Sequence, residues 1–471
     1  MSRPAEEVGA PRPETRQSRW SLLLALGSGA LLAMAHFAPI ASPVVLIGGL
    51  LMLWNAAARE RRYRVGYLFA LAYFLPLTHW LGHFVGRFTE TPLLGLFVWL
   101  LVSVLLSLPL ALIVPIAHRS FAGDRAWIVP LAWLVLELFR SYVPVFAFPW
   151  GLLAHPIYPW VRFSNLAPYM TEFGYGAALV GLSVAIFRWS AMGKWIRLGN
   201  ATVFGLLILA GVGRTSLLHA RETAKKAMEQ DKRLPPVVFG AYQPGIDLAY
   251  GDPSLTSFQV QSAIAEARTR AQGASVDVVV LPEGLLSIHS PADFPPLFGE
   301  GVLVTGGQRH QGRSAYQTAF AFDGRWHWAD KTRLVIFGEF VPGRGVIPYP
   351  ESFHLPGGDL AAGEDLQTLD VRTRYRTVRL GPILCFEALF PDIALRQREA
   401  GAEVLTVMSL DDWFGDTKAP EWLADAARWR AMETDRLVVR AGAMGLTRII
   451  NPDGSIAKSL PWGERGLIQS D

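Results

Sequence analysis

The sequence predicts a multi-span α-helical membrane domain followed by a single α/β domain. Three observations carry this reading. First, the chain is 51% hydrophobic and only 18% charged over 471 residues, with a mean hydropathy of +0.26; soluble domains carry about 25% charged residues. Second, from about residue 20 to residue 214 the sequence is a string of apolar runs separated by short charged clusters. Third, after Arg221 the pattern becomes mixed, with short β-rich runs, turns and helical stretches. Aromatic residues reach 11%, which excludes a disordered chain. The net charge of +4 and the pI near 9.2 come from clusters between apolar runs. That is a membrane pattern and excludes a nucleic-acid partner.

A cytoplasmic arm over residues 1–19 precedes a membrane domain over 20–220. Counting about 20 apolar residues per crossing, seven spans are expected near 20–37, 40–57, 63–84, 92–117, 125–140, 171–188 and 198–214. The first span follows Arg12, Arg16 and Arg19 and contains Ala33-Met34-Ala35, which has the form of a signal-peptide cleavage site. The spans behind it favour an uncleaved signal anchor. Pro39 and Pro43 mark a tight hairpin between spans one and two. With a cytoplasmic N-terminus, the inside loops hold Arg59, Arg61, Arg62, Arg64, Arg119, Arg125, Arg188, Lys194 and Arg197. The outside loops hold only Arg87, Arg140 and Arg162. This positive-inside bias, with an odd number of spans, puts everything after residue 214 outside the cytoplasm. Trp20, Trp54, Trp80, Trp127 and Trp150 fall near span ends, as interfacial aromatics or as ordinary packing residues. The segment 140–169 is apolar but broken by Pro149, Pro156, Pro159 and Pro168, and is expected to lie along the outer membrane surface or to re-enter. Glu137 and Arg140, three residues apart, form an ion pair or serve function at membrane depth. Residues 221–236 read as a polar helix and linker.

The outer domain, 221–471, carries three short motifs. Val276-Asp277-Val278-Val279-Val280-Leu281 reads as a buried strand running into Pro282-Glu283-Gly284. A carboxylate there sits where open α/β sheets place their chemistry. Lys331 ends a strand-like stretch over 319–328, and Glu339 follows in an apolar turn between Gly338 and Phe340. A carboxylate in that setting needs a buried partner. Third, a strand over 380–384 meets Cys385-Phe386-Glu387, with a helix from Pro391 to about Glu399. A strand–turn–helix exposes a nucleophile, and the Phe386 N–H is offered to a developing oxyanion. Cys385 is the single cysteine, so intramolecular disulfides and multi-cysteine metal sites are excluded. A thiol needs a base or a cation for activation, and Glu283 and Lys331 supply one each. The histidines show no zinc-ligand spacing, and Gly306-Gly307 lacks the rest of a phosphate-loop pattern, so no metal and no cofactor are expected.

These motifs resemble the Glu–Lys–Cys centre of the nitrilase superfamily. A seven-span part before such a domain resembles its membrane-embedded branch, the bacterial apolipoprotein N-acyltransferases. The resemblance extends to Trp133, Glu137-Leu138-Phe139-Arg140, Phe148-Pro149-Trp150 and Asp412-Trp413-Phe414-Gly415-Asp416. It implies a periplasmic α-β-β-α sandwich above membrane helices, in the bacterial inner membrane. It implies transfer of an acyl chain from a glycerophospholipid to the N-terminal amine of a diacylated apolipoprotein, by a monomer. By the same resemblance Glu283 is the general base, Cys385 the nucleophile that forms a thioester, and Lys331 the oxyanion-stabilising cation. Glu339 and Glu387 support the site, with Phe386 at the turn; Trp150 and Trp413 guide substrate. The sequence departs from the family at Arg333 (usually His), Ile336 (usually Pro), Leu281 (usually Trp), and in Ser409-Leu410-Asp411 and Ala443-Met444-Gly445. The family ends in one more span, for which 460–471 is too short and polar. A membrane-tethered amidase using water, and a non-catalytic polytopic protein, are the competing readings.

Overall fold

The computed structural model describes residues 13–144, 147–231, 235–251, 253–288, 301–346, 348 and 358–470. Most of the cytoplasmic arm, Phe146 and part of the 221–236 linker therefore lie outside the described residues. The N-terminal half is helical: α1 (Pro13–Ala35), α2 (Ser42–Arg59), α3 (Tyr63–Leu77), α4 (His79–Phe88), α5 (Pro92–Leu110), α6 (Ile113–Ala122), α7 (Ile128–Tyr142), the one-turn α8 (Tyr158–Val161), α9 (Ala167–Phe187) and α10 (Lys194–Asp231). Each of the seven apolar runs coincides with helix. Among the described residues, four helical stretches are long and apolar enough to cross a membrane alone: Pro39–Arg59, Pro92–Ala122, Ala167–Phe187 and Lys194–Ala220. The run near 63–84 is α3 and α4, bent by 50°. Its cause is Pro76, which cannot continue the helical ladder. The disrupted turn is satisfied from the side: Trp99 Nε1 donates to the Leu75 carbonyl (2.9 Å), and His79 Nδ1 bonds the Pro76 carbonyl (2.8 Å). Two runs give shorter helices, Arg19–Ala35 within α1 and the 15 residues of α7.

The 140–169 segment is not a surface strip. Trp150, Leu152, Leu153, Ala154, Ile157 and Val161 are buried in the protein. Its irregular backbone is held by the pair at the end of α7. Arg140 donates to the carbonyls of Phe148 (2.8 Å), Trp150 (2.7 Å) and Gly151 (2.8 Å), and Glu137 Oε1 accepts the Leu153 N–H (2.8 Å). Non-helical backbone at membrane depth needs such partners, so Glu137 and Arg140 are architectural. Of the five tryptophans near span ends, Trp20 and Trp127 are exposed, whereas Trp54, Trp80 and Trp150 are packed inside. The polar linker is shorter than expected, since α10 continues to Asp231.

The second half comprises β1 (Phe239–Gln243), α11 (Pro253–Gly273), β2 (Val278–Val280), β3 (Leu286–Ile288), β4 (Val302–Gln311), β5 (Ser314–Phe322), β6 (Trp326–Asp330), β7 (Leu369–Arg372), β8 (Thr377–Leu384), α12 (Pro391–Glu399), β9 (Val404–Ser409), α13 (Ala419–Thr434), β10 (Leu437–Gly442), β11 (Arg448–Ile450), β12 (Ile456–Ser459) and β13 (Gly466–Gln469). The expected strand over 319–328 is instead the hairpin β5–β6, turned at Asp323 and Gly324. Two sheets form, in the orders β13-β1-β2-β4-β5-β6, with β3 on β4, and β12-β11-β10-β9-β8-β7. Period-2 alternation packs them face to face. Val278 and Val280 point into the core shared with Val378, Leu380, Val404 and Val439, while Val279 faces α11. Helices α12 and α13 cover the outer face of the second sheet. The result is an α-β-β-α sandwich.

The sandwich is keyed to the membrane helices through α13. Trp429 and Met432 of α13 belong to the same apolar cluster as Trp54, Trp133 and Val180. Beside them Arg430, fully buried, pairs with Glu172 of α9 (3.0 Å) and with Glu433 (2.8 Å). Burial, opposed by the adjacent guanidinium, holds the Glu433 carboxyl up at about 8. Asn165 donates to the Met432 carbonyl, and Trp422 to that of His36.

Candidate active site

The site lies where strand ends from both sheets meet. Strand β2 delivers Pro282-Glu283-Gly284. Glu283 is buried against β4, where a side chain at Gly306 would put Cβ 2.8 Å from the Glu283 Cα. Gly306 is therefore glycine because the backbone of the Glu283 turn presses on it, and Thr305 Oγ1 ties the turn by donating to the Pro282 carbonyl (3.0 Å). Strand β6 ends at Asp330 and delivers Lys331, whose N–H donates to the Gln317 carbonyl of β5 (2.7 Å). The Lys331 side chain is fully buried; its Nζ stands 2.5 Å from Glu339 Oε1 and 3.6 Å from Glu283 Oε1. Glu339 is fixed in turn by accepting the Val335 N–H on Oε2 (2.7 Å). The buried partner its sequence context demands is thus Lys331.

Strand β8 runs into a 3-10 turn over Cys385–Leu389. Cys385 takes φ +47°, a region L-residues enter at a cost of about 1–3 kcal/mol. Glu387 braces this turn to the lysine segment. Its Oε1 accepts the N–H of Thr332 (2.8 Å), the Thr332 hydroxyl (2.9 Å) and the N–H of Arg333 (3.2 Å), and its Oε2 accepts the Leu384 N–H (3.0 Å). One carboxylate therefore locks the Lys331 and Cys385 backbones together.

The electrostatics separate the three groups. Burial pushes the Cys385 thiol up to about 12; the Glu283 carboxylate adds to this and Lys331 opposes it. Burial likewise raises Glu283 to about 7, against the pull of Lys331 and with a push from Glu339. Burial works against the Lys331 ammonium, but Glu283, Glu339 and the Cys385 sulfur outweigh it, and its pKa lies above the ordinary lysine value. A buried thiol, a carboxyl titrating near neutrality and a permanent cation are the parts of a proton-coupled nucleophile.

Glu283, Cys385 and Phe386 line a cavity of about 2140 Å³, well beyond the roughly 300–1,000 Å³ of small-ligand sites. Its opposite wall comes from the membrane half and the loop after β9. Trp80 of α4 packs on Trp150 (4.8 Å between centroids), Phe148 (6.4 Å) and Phe414 (5.1 Å). Trp413 contacts Phe84 and Phe88 of α4 and Tyr250. Trp150 and Trp413 thus both line the cavity. Sequence reasoning missed Gln317, whose side chain bonds Glu283, and Ser409, whose hydroxyl bonds Cys385 and donates to Asp411 Oδ1 (2.6 Å). Asp411 is held by both its oxygens on Arg440 (2.9 and 2.7 Å). Both lie on strands that hold other polar residues, so no signal in the sequence singled them out.

Comparison with known proteins agrees with this architecture in both halves. Residues 298–471 match the carbon-nitrogen hydrolase family model, a stretch that holds Lys331 and Cys385 and begins after Glu283. The two-sheet sandwich is thus a carbon-nitrogen hydrolase domain, here built onto a bundle of apolar helices. Residues 28–185 match the N-terminal domain of apolipoprotein N-acyltransferase. Apolipoprotein N-acyltransferases of Allorhizobium ampelinum and Geobacter metallireducens are 28% and 24% identical, over 94% and 96% of this chain and 88% and 89% of theirs. The structure of Nit3 from Saccharomyces cerevisiae, of the nitrilase superfamily, aligns with 51% of this chain and 91% of its own, at 19% identity and a TM-score of 0.37. Both halves of the chain, in this order, are thus similar to apolipoprotein N-acyltransferases over nearly its whole length.

Proposed function

We propose that this protein moves an acyl chain from a glycerophospholipid to the N-terminal amine of a diacylglyceryl-cysteine lipoprotein, through a thioester on Cys385. The observation that carries the reading is the cavity, whose walls include Glu283 and Cys385, backed by Lys331, and the aromatic side chains of the membrane half. A lipid ester reaches a buried thiol only through such a shared space. The apolipoprotein N-acyltransferases to which the chain is similar support the same reading.

In the acylation half, Glu283 takes the thiol proton as sulfur attacks the ester carbonyl. Lys331 stabilises the tetrahedral oxyanion, with the Phe386 N–H as second donor. The carbon–oxygen bond breaks, and the lysophospholipid leaves with the proton from Glu283. In the second half the lipoprotein amine attacks the thioester carbonyl, Glu283 accepts the amine proton, and the carbon–sulfur bond breaks to return the thiol. Glu339 and Glu387 hold Lys331 and the Cys385 turn; Trp150 and Trp413 guide the acyl chain. The basic bias of the loops supports seven crossings, with a cytoplasmic N-terminus and the sandwich outside the plasma membrane.

The test is complementation of a strain lacking its own N-acyltransferase, with lipoprotein N-termini read by mass spectrometry. N-acylated termini are expected with the wild-type chain and none with Cys385→Ala. Unmodified amines in both would overturn the assignment.

A further inference from the structure

Resting on the acyl-transfer reading, we propose that Arg333 is the site at which the phosphodiester of the donor lipid is recognised, making it a specificity-determining residue rather than a structural one. Arg333 sits two residues beyond Lys331 and lines the same cavity as Cys385. Its backbone N–H is anchored on Glu387, so its position is tied to the turn that carries the nucleophile. Its guanidinium sits against two rings: the centre lies 4.2 Å from the Phe390 ring centroid and 4.9 Å from that of Tyr142. Nη2 donates to Asp392 Oδ2 (2.7 Å), and the Tyr142 hydroxyl donates to Asp392 Oδ1 (2.9 Å). Tyr142 is the last residue of α7, so this cage stands where the membrane half meets the catalytic turn.

A guanidinium offers five N–H groups in a rigid fork. Among the described residues, the side chain gives only the one bond, from Nη2 to Asp392. Its side chain remains 28% exposed, which leaves donors for a ligand while the Asp392 pair and the flanking rings hold the group in place. A planar, permanently charged fork matches a phosphate diester, whose anionic oxygens accept in pairs. The other basic side chain lining the cavity, Arg268, stands on α11, across the first sheet from the membrane helices. A glycerophospholipid with one ester at Cys385 and its tails against Trp80 and Trp150 carries its phosphate on the same glycerol, close to the attacked ester. Arg333 is the cation placed for it. The pair with Asp392 keeps the guanidinium aligned when no lipid is bound.

The experiment compares two acyl donors in the full-length protein in detergent micelles. One is phosphatidylglycerol; the other is diacylglycerol with the same chains, which keeps the esters and lacks the phosphate. The readout is the initial rate of Cys385 thioester formation by intact mass. Arg333→Gln is expected to lower the ratio of phospholipid to diacylglycerol rate about tenfold or more, the worth of a charge-assisted hydrogen bond. Arg333→Lys, which keeps the charge and loses the fork, should recover part of that ratio. Any loss common to both donors is packing and cancels. An unchanged ratio in Arg333→Gln, with the wild type acylated, overturns the assignment of Arg333 alone. No acylation of the wild type by either donor overturns both this assignment and the acyl-transfer reading on which it rests.

Discussion

Cys385 is a weak nucleophile by itself. With its thiol pushed to about 12 by burial and by Glu283, almost no thiolate exists at neutral pH, so the proton must leave during attack. Glu283 accepts it only as the carboxylate. Because burial lifts Glu283 to about 7, thioester formation should rise as pH increases through about 7 and level off above. Intact-mass kinetics across pH 5–9, a range of about two units either side of that value, should show this limb and its loss in Glu283→Gln. A flat wild-type profile would remove Glu283 as base. Cys385→Ala should form no adduct, and hydroxylamine should strip the wild-type adduct. The glycine at 306 is subject to a steric test. A Cβ there meets the Glu283 Cα at 2.8 Å, so Gly306→Ala should displace the base and lower turnover by about 10²-fold without unfolding the protein. Near wild-type rates would show that the β4 backbone yields.

Two elements shape the cavity proposed to take the lipid. The α3–α4 bend turns Trp80, Phe84 and Phe88 toward the loop carrying Trp413 and Phe414, and Arg140 pins the Trp150 segment beneath them. Trp150→Ala opens a space between Trp80 and Phe414 and should lower turnover while the protein still reaches the membrane in normal amount. Unchanged turnover at equal protein level would deny Trp150 a guiding role. Helix α13 is the second key element. Arg430 neutralises Glu172 and Glu433 in a fully buried setting. Arg430→Ala leaves Glu172 only its contact with His155 (3.1 Å) and Glu433 without its cation, and should cost about 3–5 kcal/mol, seen as a lower apparent melting temperature in detergent. Combining Arg430→Met with Glu172→Gln and Glu433→Gln removes every charge and should restore much of that loss. A single variant as stable as wild type would show that α13 is not held by these charges.

The molecule as a whole is a lipid-facing bundle carrying a catalytic sandwich. The outward faces of α5 and α10 are apolar and exposed, through Leu93, Phe97, Leu105, Leu206 and Leu209. Such surfaces are stable in acyl chains and not in water. The proposed orientation is tested by reporter fusions at Asp471. A reporter active only outside the cytoplasm should give signal, and one active only inside should stay silent. The reverse result would put Cys385 on the wrong side for lipoprotein N-termini.

Composition and hydropathy by themselves determined the two-part architecture, and local motifs nominated the candidate reactive residues. Apolar runs near crossing length need no tertiary information, because lipid demands them of each span separately. The Pro-Glu-Gly, Lys and Cys-Phe-Glu motifs were legible for a related reason: each is local, a strand end followed by a turn. Tertiary structure alone decided what closes those motifs into a site. The brace of Glu387 reaches Thr332, 55 residues away in the chain. Gly306 is dictated by a backbone on a neighbouring strand. Glu137 and Arg140 form the ion pair that their spacing suggests (3.8 Å), but the broken loop that takes their hydrogen bonds was not legible. Trp80 read equally as an interfacial aromatic or a packing residue, and only the fold sets it beside Trp150 in the cavity wall. Local propensity and hydropathy report how one segment meets its solvent. They carry no record of which distant segment a buried carboxylate, guanidinium or ring will find, because that partner is chosen by packing and by the cost of leaving a buried polar group unpaired.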